Sequence, residues 1–261
     1  KSVINTLNQR WLTNGPNLQK FENRFNSINN SKYSLGVSTA THGLHLSLKS
    51  LGVGFGDEVI IPTFTFSATA DAVEYCNAKP IFTDVDMDSF NILSNEIKKK
   101  ITKRTKAIVV VHYGGQSCDM TEILKNSKEK NIPVIEDCAH ALGSKYGKKK
   151  CGTIGDVGCF SFYPTKIITT GEGGMVTTNN IKLFKKIKSL RSHGMNILPS
   201  EREKKASWEY DIVQLGFNYR LDEIRSALGF SQLKRLSEIN KHRKMIAKKY
   251  SQLLNNVKGI I

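Results

Sequence analysis

Residues 157–178 read VGCFSFYPTKIITTGEGGMVTT, and the prediction for the whole chain starts from this stretch. The apolar run from Val157 to Phe162 predicts a strand that closes at Pro164, because proline cannot donate to a strand ladder. Lys166 follows, ahead of a glycine-rich turn and a second predicted strand. Burial in such a turn lowers the pKa of a lysine from about 10.4, as a Schiff-base lysine requires. A solvated loop lysine is the alternative interpretation of this stretch alone.

Composition narrows the class of protein. The chain has 261 residues, 39% of them hydrophobic, which is enough for one large α/β domain or two small ones. We see neither an apolar run of about 18 residues nor a signal peptide, and therefore expect a cytoplasmic protein without a membrane partner. The five cysteines show no CxxC spacing, so we expect neither a disulfide framework nor a metal site.

The formal net charge of +16 suggests an anionic partner, either nucleic acid or a phosphorylated small molecule. The lysines are scattered, however, and lack the interleaved aromatic residues of a nucleic-acid stacking platform. A lysine-rich solvated surface is the competing explanation. Charge alone therefore identifies no partner.

Strands and helices alternate along the chain. The predicted strands beyond those above cover 34–38, 58–61, 80–83, 107–111 and 132–135, and the predicted helices cover 1–11, 21–28, 40–51, 67–76, 120–130, 181–192 and 239–254. We expect Ser67 and Asp222 to cap the helices that follow them, and segment 197–209 to be a polar loop. The βαβ rhythm predicts a mostly parallel sheet with helices on both faces and an active site at the carboxyl ends of its strands.

Polar side chains stand at the ends of two apolar strands. His112 ends one of them, and Glu136, Asp137 and His140 follow the next. A carboxylate at the end of a buried strand is costly unless it meets a cation. Paired with a lysine, the carboxylate would form a structural salt bridge. Paired with a protonated heterocycle, it would be the partner of a ring that acts as an electron sink.

A possible phosphate site precedes the helix that starts near residue 40. Thr39, Ala40 and Thr41 form a strand-to-helix turn, where hydroxyls and backbone N–H groups point outward at the positive end of the helix. This feature is weak by itself, because any helix N-terminus resembles it.

Eight motifs, taken in chain order, resemble the DegT/DnrJ/EryC1/StrS family of sugar aminotransferases, which are fold type I pyridoxal-phosphate (PLP) enzymes. They are GPNLQKFENRF, STATHGLHLSL, GDEVIIPTFTFSATA, VHYGG, IEDCAHALGS, FSFYPTKIITTGEGG, LRSHG and GFNYRLDEIRSALGFSQL. The resemblance implies the α/β large domain of a fold type I PLP-dependent transferase, with an N-terminal helical segment, over residues 1–238. It implies that residues 239–261 begin a connecting helix to a small C-terminal domain that is absent here.

The resemblance also assigns roles around the cofactor ring. Lys166 would bind PLP covalently and, once released, carry a proton between the substrate carbon and the cofactor. Asp137 would pair with the pyridinium nitrogen. Phe66 would stack on the ring, and His140 would lie beside it.

Four further positions are implied for the cofactor phosphate and the subunit interface. Ser161, Ala40 and Thr41 would bind the phosphate, although Ala40 departs from the glycine that is usual there. Asn218 would reach into the site of the neighbouring subunit, which implies a homodimer with shared active sites.

The implied activity is ping-pong transamination from an amino acid, with glutamate expected, to a 4-keto-6-deoxy nucleotide sugar for surface-polysaccharide or glycan biosynthesis. WEYDIVQLGFNYRL and Ala40 look most similar to enzymes that aminate C4 of a UDP-linked sugar, as in the pseudaminic acid type.

Three alternatives stay open. GDP-perosamine-type synthases share most of these motifs. A PLP dehydratase of the same family would carry histidine in place of Lys166. A non-catalytic PLP-fold regulator or nucleic-acid binder is supported only by charge, and the salt dependence of DNA binding would test it.

Overall fold

The chain forms a central sheet flanked by helices. The computed structural model describes residues 1–9, 11–197, 209–255 and 257–259. The strands are β1 (Tyr33–Val37), β2 (Glu58–Pro62), β3 (Lys79–Thr83), β4 (Thr105–Val111), β5 (Val134–Asp137), β6 (Lys145–Tyr146), β7 (Lys149–Lys150), β8 (Val157–Ser161) and β9 (Gly174–Thr178). The helices are α1 (Ser2–Leu7), α2 (Pro16–Asn29), α3 (Ala40–Ser50), α4 (Ala68–Glu74), α5 (Ser94–Lys100), α6 (Met120–Glu129), α7 (Ile181–Leu190), α8 (Glu223–Lys234) and α9 (Leu236–Leu254).

Seven strands form the sheet in the order β1-β9-β8-β5-β4-β2-β3. Strand β9 runs antiparallel to both of its neighbours, and the remaining pairs are parallel. The mostly parallel α/β sheet predicted from the sequence is therefore confirmed. Parallel pairing of β4, β5 and β8 brings their carboxyl ends to one edge, which is where a ligand site is expected.

Both faces of the sheet are covered. Alternate residues of β4 point to opposite faces, so that Val109 packs in a core with helices α3, α4 and α7, while Ile108 packs in a second core with α5 and α6. A third core joins α2 to β8 through Phe21, Phe25 and Phe160. Burial on both faces explains why the strands read as apolar runs without alternation.

Four predictions outside the sheet need correction or qualification. Ser67 is wrong as a cap, because its backbone is already helical and its side chain makes no capping bond to α4, whereas Asp222 does accept from the N–H of Arg225. Helix α5 was not predicted, and only its Ile97 is buried. Segment 197–209 lies almost wholly outside the described residues. Helix α9 starts at Leu236, and the proposed division at residue 238 stays a prediction.

Among the described residues, we find no helix with the length and apolar character that crossing a membrane demands.

Candidate active site

Asp137 ends strand β5 at the edge of the sheet where β4 and β8 also end. Its side chain is buried, with a relative exposure of 7%. Oδ1 accepts from the N–H of Ala139 at 3.0 Å and Oδ2 from the hydroxyl of Thr69 at 3.2 Å. Burial raises the pKa of this carboxyl, and the two hydrogen bonds oppose the shift. In the described part of the chain no cation forms an ion pair with Asp137, so the salt-bridge interpretation does not account for it.

Lys166 lies in the turn between β8 and β9, close enough to Asp137 for the two charges to interact. The turn is held by the Lys166 N–H, which donates to the carbonyl of Tyr163 at 2.9 Å, and by Arg243 of α9, which donates to the Lys166 carbonyl at 3.2 Å. The side chain is half-buried, and this burial lowers the pKa of the ammonium group while Asp137 raises it. A solvated loop lysine would show no such desolvation.

His140 completes this group from the loop after β5. Its Nδ1 accepts from the N–H of Gly114 at 3.3 Å, which places the proton of the neutral ring on Nε2. Burial first and then the charge of Lys166 lower the pKa of His140, while Asp137 raises it. The side chain is therefore a neutral hydrogen-bond donor beside the lysine at pH 7. A groove of about 1510 Å³ runs past His140 along helix α9.

The strand-to-helix turn predicted around residue 40 is present at the start of α3, and its role as a phosphate site stays a prediction. The N–H of His42 donates to the hydroxyl of Thr39 at 3.1 Å, and that of Gly43 to the Thr39 carbonyl. Within the described residues, the N–H groups of Ala40 and Thr41 find no protein acceptor, as expected for the first turn of a helix. Two free donors at the positive end of a helix dipole are a suitable environment for an anion.

Strands β8 and β9 bring Ser161 to this turn. Ser161 pairs with Gly174 in the sheet, and a Cβ atom at Gly174 would lie 2.8 Å from the backbone nitrogen of Ala40. Only glycine lets the strand approach the helix so closely. Ser161 therefore lies across the ladder from the residue that packs on the helix start, and its role in phosphate binding stays a prediction.

The last two predicted residues are on the surface. Phe66 follows β2 with 80% of its side chain exposed, one turn before Thr69. Asn218 is exposed in the segment 216–220, which is anchored beside the phosphate turn because the N–H of Ser38 donates to the carbonyl of Tyr219 at 3.0 Å. Both can be reached by a ligand or a second chain. Their roles stay predictions.

Two residues of the site, Thr69 and Gly174, are not predicted by the sequence pattern. Thr69 is 1% exposed and contacts Asp137, and its hydroxyl also bonds to that of Thr65 at 2.8 Å. A threonine in a predicted helix gives no sign of such a partner. Gly174 falls in the glycine-rich turn that the sequence predicts after Lys166, whereas in the structure it starts β9.

The residues brought together fit PLP as a group. A buried carboxylate without an ion-pair partner suits a protonated pyridine nitrogen, and a half-buried lysine suits an aldehyde. The free N–H groups at the start of α3 suit a phosphate. All three come from separate segments that meet at one edge of the sheet.

A second polar cluster is fully buried next to this site and joins His112, Glu136 and Cys138. Their ligand atoms lie within 4.8 Å of one another, as in a metal site. However, Nδ1 of His112 accepts from the N–H of Cys118 at 3.2 Å, and its Nε2 lies 2.9 Å from Glu136. Both oxygens of Glu136 also accept from backbone N–H groups. We interpret the cluster as a structural network, and the absence of a metal site stays a prediction.

Comparison with known sequences gives consistent relatives. The chain is 46% identical over 260 residues to MJ1066 of Methanocaldococcus jannaschii and 40% identical over 262 residues to the spore coat polysaccharide biosynthesis protein SpsC of Bacillus subtilis. It is 40% identical over 259 residues to the GDP-perosamine synthase of Escherichia coli O157:H7. These matches cover 98–100% of this chain and 67–69% of the relatives, so the chain spans about two thirds of their length.

Solved structures agree. Spr1654 of Streptococcus pneumoniae in its PMP form superposes with a TM-score of 0.92 at 30% identity, over 98% of this chain and 69% of that one. PseC of Helicobacter pylori, an aminotransferase involved in the biosynthesis of pseudoaminic acid, gives 0.90 at 34% identity, over 98% and 68%. These likenesses confirm the fold type I architecture that the sequence predicted.

The family match extends over residues 1–261. Spr1654 is known in both PLP and PMP forms, so the expected cofactor is confirmed at the level of the family. The chain belongs to the DegT/DnrJ/EryC1/StrS aminotransferase family.

Proposed function

We propose that this chain is the PLP-binding part of an aminotransferase that moves an amino group from glutamate to a 4-keto-6-deoxy nucleotide sugar. The observation that carries the proposal is the buried Asp137 carboxylate, which has no ion-pair partner among the described residues and lies beside the desolvated Lys166. A buried carboxylate without a cation carries an unfavourable desolvation free energy, and a bound cationic ligand offsets it.

Each residue then has a defined task. Bound PLP supplies a protonated pyridine ring that withdraws electrons from the substrate carbon. Asp137 keeps the proton on the ring nitrogen, because its carboxylate is fixed by Ala139 and Thr69. The Nζ atom of Lys166 accepts a proton from the substrate carbon as a neutral amine, which its lowered pKa favours.

The remaining residues hold the ligand in place. The N–H groups of Ala40 and Thr41 and the hydroxyl of Ser161 bind the phosphate, while Phe66 covers one face of the ring. The Nε2–H of His140 donates to a polar atom beside the ring. These tasks are proposals that the geometry supports.

The UDP-linked sugar is our first choice of substrate, supported by the likeness to PseC. A GDP-linked sugar is the second candidate, because two GDP-perosamine synthases are 40% and 41% identical to the chain. Lys166 argues against the dehydratase alternative. The relative SpsC supports a role in polysaccharide biosynthesis.

We further propose a cytoplasmic homodimer in which Asn218 contributes to the partner's site, with neither nucleic acid nor a membrane as a partner. Exposure of Asn218 next to the anchored phosphate turn supports this. Residues 1–238 would form the cofactor-binding unit and 239–261 the start of the connection to a second domain.

The test is the visible absorbance spectrum of the protein with added PLP, before and after borohydride, for the wild type, Lys166→Ala and the matched surface variant Lys148→Ala. We expect borohydride to fix the cofactor on the wild type and on Lys148→Ala but not on Lys166→Ala. Glutamate should then bleach the unreduced band, and UDP- or GDP-linked keto sugars should restore it. Equal labelling of Lys166→Ala would refute the assignment.

A further inference from the structure

Three aromatic side chains form a cluster at the carboxyl ends of β2, β3 and β4, which are neighbours in the sheet. Phe64 follows β2, Phe90 lies in the loop after β3, and Tyr113 follows β4. Their ring centroids are 4.7 Å apart for Phe64 and Tyr113, 5.2 Å for Phe64 and Phe90, and 5.8 Å for Phe90 and Tyr113. Phe64 and Phe90 are 43% and 41% exposed, so the cluster presents open aromatic surface.

Phe90 adopts a backbone conformation that a bulky residue rarely takes, with φ at +57°. Its N–H donates to the Asp86 carbonyl at 2.8 Å, and the Asp86 N–H donates to the Asn91 carbonyl at 2.9 Å. A left-handed phenylalanine costs on the order of 1 kcal/mol, and such strain is concentrated at functional sites. A glycine would adopt this conformation without strain. The presence of a phenylalanine here therefore indicates that its ring is needed at this position.

A buried asparagine ties this loop to the third ring. Asn91 is 5% exposed, its Oδ1 accepts from the N–H of Tyr113 at 3.1 Å, and its Nδ2 donates to the carbonyl of Gln116 at 3.3 Å. Phe90 and Tyr113 are therefore fixed relative to each other by one polar side chain. The aromatic cluster is pre-organised, which lowers the entropic cost of binding a ligand.

The aromatic cluster adjoins the candidate active site. The rings of Tyr113 and His140 are 5.7 Å apart at 75°, and the next residue, Gly114, donates its N–H to Nδ1 of His140. His140 in turn interacts electrostatically with Lys166 and Asp137. A ligand whose reacting carbon lies at Lys166 can thus extend past His140 onto the cluster.

We propose that the aromatic cluster binds the nucleobase of the sugar-nucleotide substrate. This inference rests on the proposed function. The diphosphate of such a substrate separates the base from the reacting sugar, so the base must bind away from Lys166. The three rings carry no formal charge, which suits a flat base better than a phosphate, and base–aromatic stacking is tolerant of base identity.

The test is calorimetric titration of the PLP-loaded protein with UDP, GDP and inorganic pyrophosphate. The variants are Phe90→Gly, which removes the ring and relieves the backbone strain, and Phe64→Ala. The control is Phe55→Ala, because Phe55 is 94% exposed and precedes β2, whereas the cluster lies beyond the carboxyl end of that strand. We expect each cluster variant to weaken UDP or GDP binding about 5- to 100-fold and to leave pyrophosphate binding unchanged.

Three other results would overturn the inference. Nucleotide binding that is unchanged in both cluster variants, with glutamate still bleaching the cofactor band, would exclude the cluster as the base site while leaving the proposed function intact. Equal weakening of pyrophosphate binding would show a general structural defect. Failure of the wild type to bind either nucleotide would reject the nucleotide-sugar substrate itself, and the inference with it.

Discussion

Glu136 and Asp137 are consecutive residues of strand β5, both buried, and yet they are used in opposite ways. Glu136 is 0% exposed and accepts from the backbone N–H groups of Gly152, Ile154 and Gly155 at 2.7–2.8 Å, while His112 lies 2.9 Å from it. Asp137 has two hydrogen bonds, and no cation pairs with it among the described residues.

The difference follows from the alternation of a strand, because neighbouring side chains point to opposite faces of the sheet. Glu136 points to a loop whose backbone donors satisfy it completely. Asp137 points to the side of Lys166 and Thr69 and keeps unsatisfied capacity for a cation. A buried carboxylate whose hydrogen bonds are all made by the protein is structural. A buried carboxylate that lacks a cationic partner indicates that a ligand supplies one.

The largest expected effect comes from replacing Glu136, the carboxylate that accepts three backbone hydrogen bonds. We predict that Glu136→Ala lowers the free energy of unfolding by about 4 kcal/mol, because three backbone N–H groups and His112 lose their acceptor in a buried site. Urea denaturation of the cofactor-free protein measures this. In Glu136→Gln the amide NH₂ faces a backbone donor, and we expect a loss of about 2 kcal/mol. A loss below 0.5 kcal/mol in Glu136→Ala, roughly the scatter of surface substitutions, would contradict the structural role.

The next largest effect comes from replacing Asp137, the carboxylate without an ion-pair partner among the described residues. Asp137→Asn keeps the shape: its amide oxygen can still accept from the N–H of Ala139, and its NH₂ can donate to the hydroxyl of Thr69 in place of accepting from it. It removes the charge that holds the ring proton. We predict a loss of about 3 kcal/mol in transition-state stabilisation, which is roughly a hundredfold in kcat/KM, and weaker PLP binding. The full turnover with glutamate and a keto sugar nucleotide measures it. Activity within threefold of the wild type would show that Asp137 is not the ring partner.

His112 tests the same comparison, because it contacts the structural carboxylate Glu136 although it lies next to the candidate active site. We predict that His112→Ala lowers the free energy of unfolding by about 2 kcal/mol, since Glu136 keeps its three backbone donors. A double-mutant cycle with Glu136→Gln should show coupling above 0.5 kcal/mol, the usual limit for additive pairs. Full additivity of the two changes would mean that the 2.9 Å contact contributes nothing.

The sequence predicted a strand over 132–135 with both carboxylates just after its end, whereas β5 includes them, and the pattern did not distinguish Glu136 from Asp137. The donors to Glu136 lie 16, 18 and 19 residues downstream, in a loop without a recognisable motif. Asp137 was singled out by family resemblance, not by the pattern of residues. Helix α5 was missed because it buries a single side chain, Ile97, and so shows no apolar period.

The parallel sheet and the helix start at Ala40 could be predicted, because apolar runs and capping residues are local signals. Thr69 could not, because its hydroxyl meets Asp137 only after β2 and β5 have assembled in one sheet. Contacts between distant segments decide the site, and single-sequence patterns do not record them.

The smallest effect is the clearest contrast between the two carboxylates, and it concerns stability without the cofactor. Burial raises the pKa of Asp137 above its value in the unfolded chain, so the folded state binds the proton more tightly. The stability from this group is therefore fully present below the unfolded pKa of about 3.9 and is lost as pH rises through the folded pKa.

Consequently, cofactor-free Asp137→Asn should equal or exceed the wild type in stability at pH 8, by up to about 1 kcal/mol, with the difference shrinking toward pH 4. Glu136→Gln should be destabilised at pH 8 in the same urea titrations. Added PLP should reverse the order of wild type and Asp137→Asn, because only the charged carboxylate gains from the bound cation. If Asp137→Asn loses as much stability as Glu136→Gln without PLP, Asp137 is a structural carboxylate like its neighbour, and the observation on which the proposed function rests would fall.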